Sequence, residues 1–183
     1  MASRVRPCEK KMVEDVRLRP TMADDIVLVV AAEQDPDTRP FILPWTHQQH
    51  AAALSDPDFA HLIVEATRDQ RLVGFVILAG LTNPHLCLEF RRIVVSAKRH
   101  GFGRAAVRAV KRLAFAERGA HRLWLDVKED NRRARRLYEA EGFATEGVLR
   151  ECLRRDDGFE SLVVMSMLAA EYHKATARER TNP

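Results

Sequence analysis

Residues 86–117 read LCLEFRRIVV (86–95), SAKRHGFGR (96–104) and AAVRAVKRLAFAE (105–117). The first block alternates with a period of two. Leu86, Leu88 and Phe90 fall on one face, and Cys87, Glu89 and Arg91 on the other, which predicts a strand. The last block places Val107, Val110, Leu113 and Ala114 at helical spacing. A short basic loop containing Gly101 and Gly103 joins them. A helix N-terminus leaves backbone N–H groups unpaired and carries partial positive charge. Glycines let a bound group approach that backbone, so strand, glycine loop and helix in this order describe an anion site suited to phosphate. Taken alone, two glycines at such a turn read first as a tight bend.

Two standard phosphate loops fail against these residues. The P-loop needs Lys and Ser or Thr after its last glycine, but Arg104 and Ala105 follow Gly103. The dinucleotide fingerprint prefers a third glycine where Ala106 stands, an exchange it only sometimes allows. Its acidic ribose ligand would fall near the turn Gly119–Arg122, where there is none.

A third pattern fits. Lys98-Arg99-His100-Gly101-Phe102-Gly103 resembles the Q/R-x-x-G-x-G/A motif of the GNAT N-acetyltransferase superfamily, with Lys98 where Gln or Arg is preferred. Leu123–Phe143, with Asn131 and Tyr138, resembles its second signature. EGVLRE (146–151) and SLVVMSML (161–168) are similar to the ribosomal-protein N-terminal acetyltransferase branch. The resemblance spans roughly Val16–Leu168. The loop between Val95 and Gly101 is shorter than is usual in the family.

The resemblance implies an α/β fold, a mixed central sheet of about seven strands flanked by about four helices. It implies acetyl-CoA as cofactor, with CoA as product. The pyrophosphate would rest on backbone N–H groups of Arg99, His100, Gly101, Phe102, Gly103 and Arg104, with Lys98, the first residue of the motif, also at the cofactor. Ile93, Val94 and Val95 would pair with the pantetheine arm. Asn131 would bond the cofactor, although a residue at a helix start also serves as an N-cap. Tyr138, two turns further on (about 10.5 Å along the same face), would be the general acid. Without the resemblance, a tyrosine on an apolar stripe reads as core. The base is open between Glu89, Asp126 and an ordered water; each carboxylate could equally be a paired structural group.

The rest of the chain reads as one domain. With 183 residues it can bury a full core, and 46% hydrophobic with 31% charged residues suits a globular protein. No apolar run reaches the roughly 18 residues of a membrane span, and the N-terminus has no secretory h-region, so membrane is not an expected partner. Three scattered cysteines suggest a reducing, cytoplasmic setting. Residues 1–15 read as a mobile extension, 16–170 as the acetyltransferase-like domain, and 171–183 as a charged, partly disordered tail.

In order, the pattern predicts a strand at Val16–Arg19 and a helix at Ala23–Glu33 capped by Thr21. Arg39–Trp45 reads as a substrate-side wall, and a short helix capped by Thr46 carries His47 and His50 as surface histidines. Strands follow at Ala60–Thr67 and Leu72–Leu81. After the central unit come a strand at Arg122–Val127, a helix from Asn131 to Glu141, and a hairpin about Asp156-Asp157-Gly158. His47 and His50 have metal-ligand spacing but no third ligand, so no metal is expected. A net charge of +4 would suit a polyanionic cofactor. Arg108, Lys111 and Arg112 read as a solvated helix face. No helix-turn-helix or aromatic-basic ribbon supports nucleic-acid binding through Arg132, Arg133, Arg135 and Arg136. The expected partner is a primary amine, a protein N-terminus or a small molecule, with a homodimer left open. The alternative function is an acyl-CoA-binding module without turnover.

Overall fold

The structure is a computed structural model that describes residues 16–96, 100–156 and 158–181. The expected mobile extension, together with Lys98 and Arg99, lies outside the described residues. Seven strands form one sheet in the order β1-β2-β3-β4-β5-β7-β6. They are β1 (Val16–Pro20), β2 (Phe59–Ala66), β3 (Leu72–Ala79), β4 (Cys87–Val95), β5 (Arg122–Lys128), β6 (Ala144–Arg155) and β7 (Gly158–Leu168). The helices are α1 (Ile26–Gln34), α2 (His47–Ser55), α3 (Phe102–Lys111), α4 (Arg132–Ala140) and α5 (Ala169–Thr181). This is the mixed α/β architecture that the resemblance implied, with five helices where about four were expected.

The two faces of the sheet have separate cores. On one, Phe102, Ala106, Val107 and Val110 of α3 and Tyr138 of α4 pack on Leu88, Phe90, Leu123 and Leu125. On the other, Val29 of α1 packs with Ile63, Phe75, Ile77 and Val94. Each large apolar side chain so buried is worth about 1.5–3 kcal/mol.

Every neighbouring strand pair is antiparallel except β4 and β5. These two pair only over Cys87–Glu89 against Arg122–Trp124 and then part. The cause lies in β4. Ile77 faces Arg92 while Ala79 faces Glu89, so two steps on β3 oppose three on β4. That extra residue is a β-bulge, which bends the strand and flips its side-chain parity. Leu88 and Phe90 therefore share a face with Ile93 and Val95 rather than with Val94.

Three local expectations are corrected. Thr21 does not cap the first helix: Met22 precedes it, Asp25 reaches back to the Met22 N–H (2.8 Å), and the Thr21 hydroxyl instead meets His61 Nδ1 (2.8 Å). The tail is helical as α5, with Tyr172 stacked on Phe115 at 5.0 Å between ring centroids. The basic face of α3 is only partly solvated. Arg112 pairs loosely with Glu117, but Arg104 (3.2 Å), Arg108 (3.0 Å) and Lys111 (3.0 Å) converge on the buried carboxylate of Glu141.

Candidate active site

Where β4 and β5 part, a cleft of about 680 Å³ opens through the sheet, within the range of roughly 300–1,000 Å³ usual for small-molecule sites. On the α3/α4 side it is lined by Gly101, Phe102, Gly103, Arg104, Asn131 and Tyr138. Ile93, Val94 and Val95 line it along β4. On the α1/α2 side it meets Glu89, Arg91 and Asp126, with Phe41, Ile42 and Leu43 as a wall. The separated signals of the sequence thus converge. His100 is exposed beside Phe102 (ring centroids 6.0 Å apart) and does not line the cleft.

The start of α3 has features that fit an anion. Gly101 precedes it with φ of +85°, a left-handed conformation that favours glycine. The first intrahelical bond there runs from Ala105 N–H to Gly101 O (3.1 Å), so the N–H groups of Phe102, Gly103 and Arg104 precede the ladder. Gly103 differs from Gly101. A Cβ there would meet only Leu137 Cδ2, at an ordinary 3.6 Å, so the protein itself does not require glycine. The free space over that backbone is the space a close-packed phosphate would take. Beyond Glu89, the edge of β4 that faces β5 has no strand partner among the described residues, leaving main-chain groups to pair with an amide-bearing ligand. These features fit a CoA-type group.

Asn131 does cap α4: its Oδ1 accepts from Ala134 N–H (3.1 Å). Its amide nitrogen takes no part in that bond and remains a donor. Tyr138 is 6% exposed, edge-on to Phe90 and Phe143. Burial, then the nearby Asp126 charge, pushes its phenol well above the ordinary tyrosine value. The two carboxylates differ. Glu89 is engaged by Arg91 Nη1, at 3.1 and 3.0 Å to its two oxygens. Asp126 opens to the cleft, yet the walls around it limit its hydration. Desolvation raises its pKa, with Arg91 opposing.

Behind the wall lies a buried polar cluster that no local sequence signal marks. His50 is not a surface residue; it is fully buried. Its Nδ1 bonds His61 Nε2 (2.9 Å), and its Nε2 stands 3.4 Å from Glu33 Oε2, too poorly aligned for a hydrogen bond. Glu33 was hidden because its partners lie on β4 and α2. Burial pushes its carboxyl up, but His50, Arg92 and the Trp45 N–H outweigh that and hold it below the ordinary value.

His61 makes the fold acid-sensitive. Burial first, then the neighbouring His50, lowers its pKa to about 4. The unfolded value is near 6.5, so between these values the unfolded chain binds more protons. Stability should therefore be intact above about pH 6.5 and fall on acidification towards pH 4, by on the order of 2–3 kcal/mol at most. Denaturant unfolding at stepped pH checks this. His61→Gln should flatten that window. Below it, loss continues as Asp25 and Glu65, held low chiefly by Arg19, take up protons.

The profile of the acetyltransferase (GNAT) family matches residues 27–143. The chain belongs to the GNAT acetyltransferase family. Uncharacterised N-acetyltransferases of Mycobacterium bovis and Mycobacterium tuberculosis are 37% identical to it over 98 residues, 53% of this chain. The match spans 60% of the length of those relatives. Among solved structures, the fold is similar to mutant forms of the spermidine/spermine N-acetyltransferase SpeG of Vibrio cholerae. There the TM-score is 0.77 at 21% identity, over 88% of this chain and 98% of the other. The Vibrio cholerae spermidine N-acetyltransferase in complex with CoA and spermine gives 0.76 at 23% identity, over 86% and 98%. At such identities the likeness is one of fold.

Proposed function

We propose that this protein is an acetyl-CoA-dependent N-acetyltransferase, moving an acetyl group to a primary amine by direct attack. The observation that carries the reading is the split between β4 and β5. It puts Tyr138 on the α3/α4 side of one cleft and Asp126 and Glu89 towards the other side. When bound, acetyl-CoA supplies a thioester carbonyl as acyl donor and a thiol as leaving group.

The chain's own residues divide the work. Phe102, Gly103 and Arg104 N–H groups hold the pyrophosphate, with His100, Lys98 and Arg99 in the same loop. Ile93–Val95 align the pantetheine arm, and Asn131 adds a side-chain donor. Asp126 takes the amine's proton, directly or through water. Its raised pKa brings it closer to an α-amine, near 7.7–8.0, than an ordinary carboxylate stands. Glu89, occupied by Arg91, is the second candidate. Tyr138 Oη gives a proton to the departing sulfur. Burial strengthens the phenol's hold on that proton, but the same burial disfavours a bare thiolate, so donor and acceptor stay matched.

The acceptor is a protein N-terminus, as the hairpin's resemblance to the ribosomal-protein branch suggests, or a small amine. The fold neighbours' polyamine activity supports amine chemistry in general. We place residues 16–170 in a single acetyltransferase domain and the protein in the cytoplasm. No described helix is long and apolar enough to cross a membrane, and Cys87 and Cys152 are free thiols. Self-association is part of the proposal, with a homodimer the state left open; a Vibrio cholerae spermidine N-acetyltransferase of similar fold is dodecameric.

CoA should raise the melting temperature, since a ligand binding only the native state stabilises it. No shift at millimolar CoA would remove the reading. Gly103→Val should cost about tenfold or more in CoA affinity, measured by calorimetry, with little loss of stability, because the new Cβ itself meets only Leu137. Unfolding with affinity spared in the folded fraction would make the glycine structural.

A further inference from the structure

We propose that Glu33 is a positioning residue for the acceptor: buried at the end of α1, it fixes the Phe41–Leu43 wall and so controls how amines are bound. The proposal rests on the acetyltransferase reading above. Glu33 is fully buried. Its Oε1 accepts from Arg92 Nη1 of β4, and its Oε2 accepts from the Trp45 N–H (2.7 Å). Arg92 uses its other arm, Nη2, to donate to the Leu43 carbonyl (2.7 Å), and its guanidinium lies 4.9 Å from the centre of the Trp45 ring. One carboxylate therefore joins α1, the bulged strand and the segment before α2.

The same segment has a second tether. Lys128 at the end of β5 donates to the Pro40 carbonyl while paired with Glu160 (2.8 Å). Residues 40–45 are thus held at Pro40 from one side of the cleft, and at Leu43 and Trp45 from the other. Within this held segment, the side chains of Phe41 and Leu43 leave these residues 41% and 49% exposed while they line the cleft. Their placement depends on the anchors more than on their own packing. A buried ion pair is a poor source of stability, because desolvation offsets most of its attraction; what this one supplies is a single geometry. Glu33 itself does not line the cleft and acts through Arg92 and Trp45.

The test uses full-length protein with spermidine and with a short peptide bearing a free N-terminus, read as thiol release from acetyl-CoA. Glu33→Gln keeps the shape and an acceptor for Trp45 N–H but loses the charge opposite Arg92. The KM for the amine should rise about tenfold while kcat and the KM for acetyl-CoA stay within about twofold. Arg92→Lys keeps the charge but loses the second arm, and should shift the same constant; it carries the test if Glu33→Gln fails to fold. In a Trp124→Phe background, acrylamide should quench Trp45 more readily in both variants. An unchanged amine KM with unchanged quenching overturns the proposal, as does a joint fall in kcat and rise in both KM values. A parent that turns over neither amine removes the acetyltransferase reading with respect to these acceptors, and this inference with it. That failure is seen in the parent alone.

Discussion

Tyr138→Phe should lower turnover by about 10²–10⁴ while CoA still binds. The substitution keeps the ring that packs edge-on against Phe90 and Phe143 and removes only the hydroxyl. That ring packing is left in place, so stability should be close to the parent's. The chemistry should suffer more. In a slot dry enough to raise the phenol's pKa, a thiolate leaving without a proton is disfavoured by the same burial. The measurement is steady-state thiol release with a responsive amine, beside CoA affinity by calorimetry. Turnover within a few-fold of the parent would make Tyr138 a core residue, with solvent the first alternative donor.

Asp126→Asn should separate from Glu89→Gln. Asp126 is desolvated at the cleft and raised; Glu89 is already taken up by Arg91. Neutralising Asp126 should cost about 10²–10⁴ in turnover with little change in CoA affinity. The sign of its pH dependence follows from its direction. A base works deprotonated, so activity should fall as pH drops through the Asp126 pKa. Because that pKa is raised, the fall should begin above the ordinary carboxylate range near 4. Asp126→Asn should erase this limb; Glu89→Gln should leave it. If neither variant loses more than about tenfold, ordered water suffices and both assignments fail.

The central unit was legible because its signals are local. Alternation through Leu88 and Phe90 marks a strand, and Gly101 before a run with Val107 and Val110 marks a turn into a helix. What opens the cleft was not legible. The bulge at Phe90–Arg91 depends on how β4 meets β3, and nothing in EFRRIVV announces an unpaired residue. His50 read as a surface histidine because α2 has a thin apolar stripe, whereas its burial comes from Glu33 and His61 on other elements. The tail read as partly disordered because its charges hide the contact of Tyr172 with Phe115. Placing Tyr138, Asp126 and Glu89 together needed the parting of two strands, a property of the sheet rather than of any segment.

The most direct test of the account is amine-dependent release of free thiol from acetyl-CoA, across a panel of peptide N-termini and small amines, with mass spectrometry of the amine. An N-acetyltransferase should give saturable thiol release with at least one amine, matched by one acetyl group gained on that amine, and lost in Tyr138→Phe. CoA binding with no thiol release above background for any amine would contradict it, leaving a module that binds acyl-CoA without turning it over.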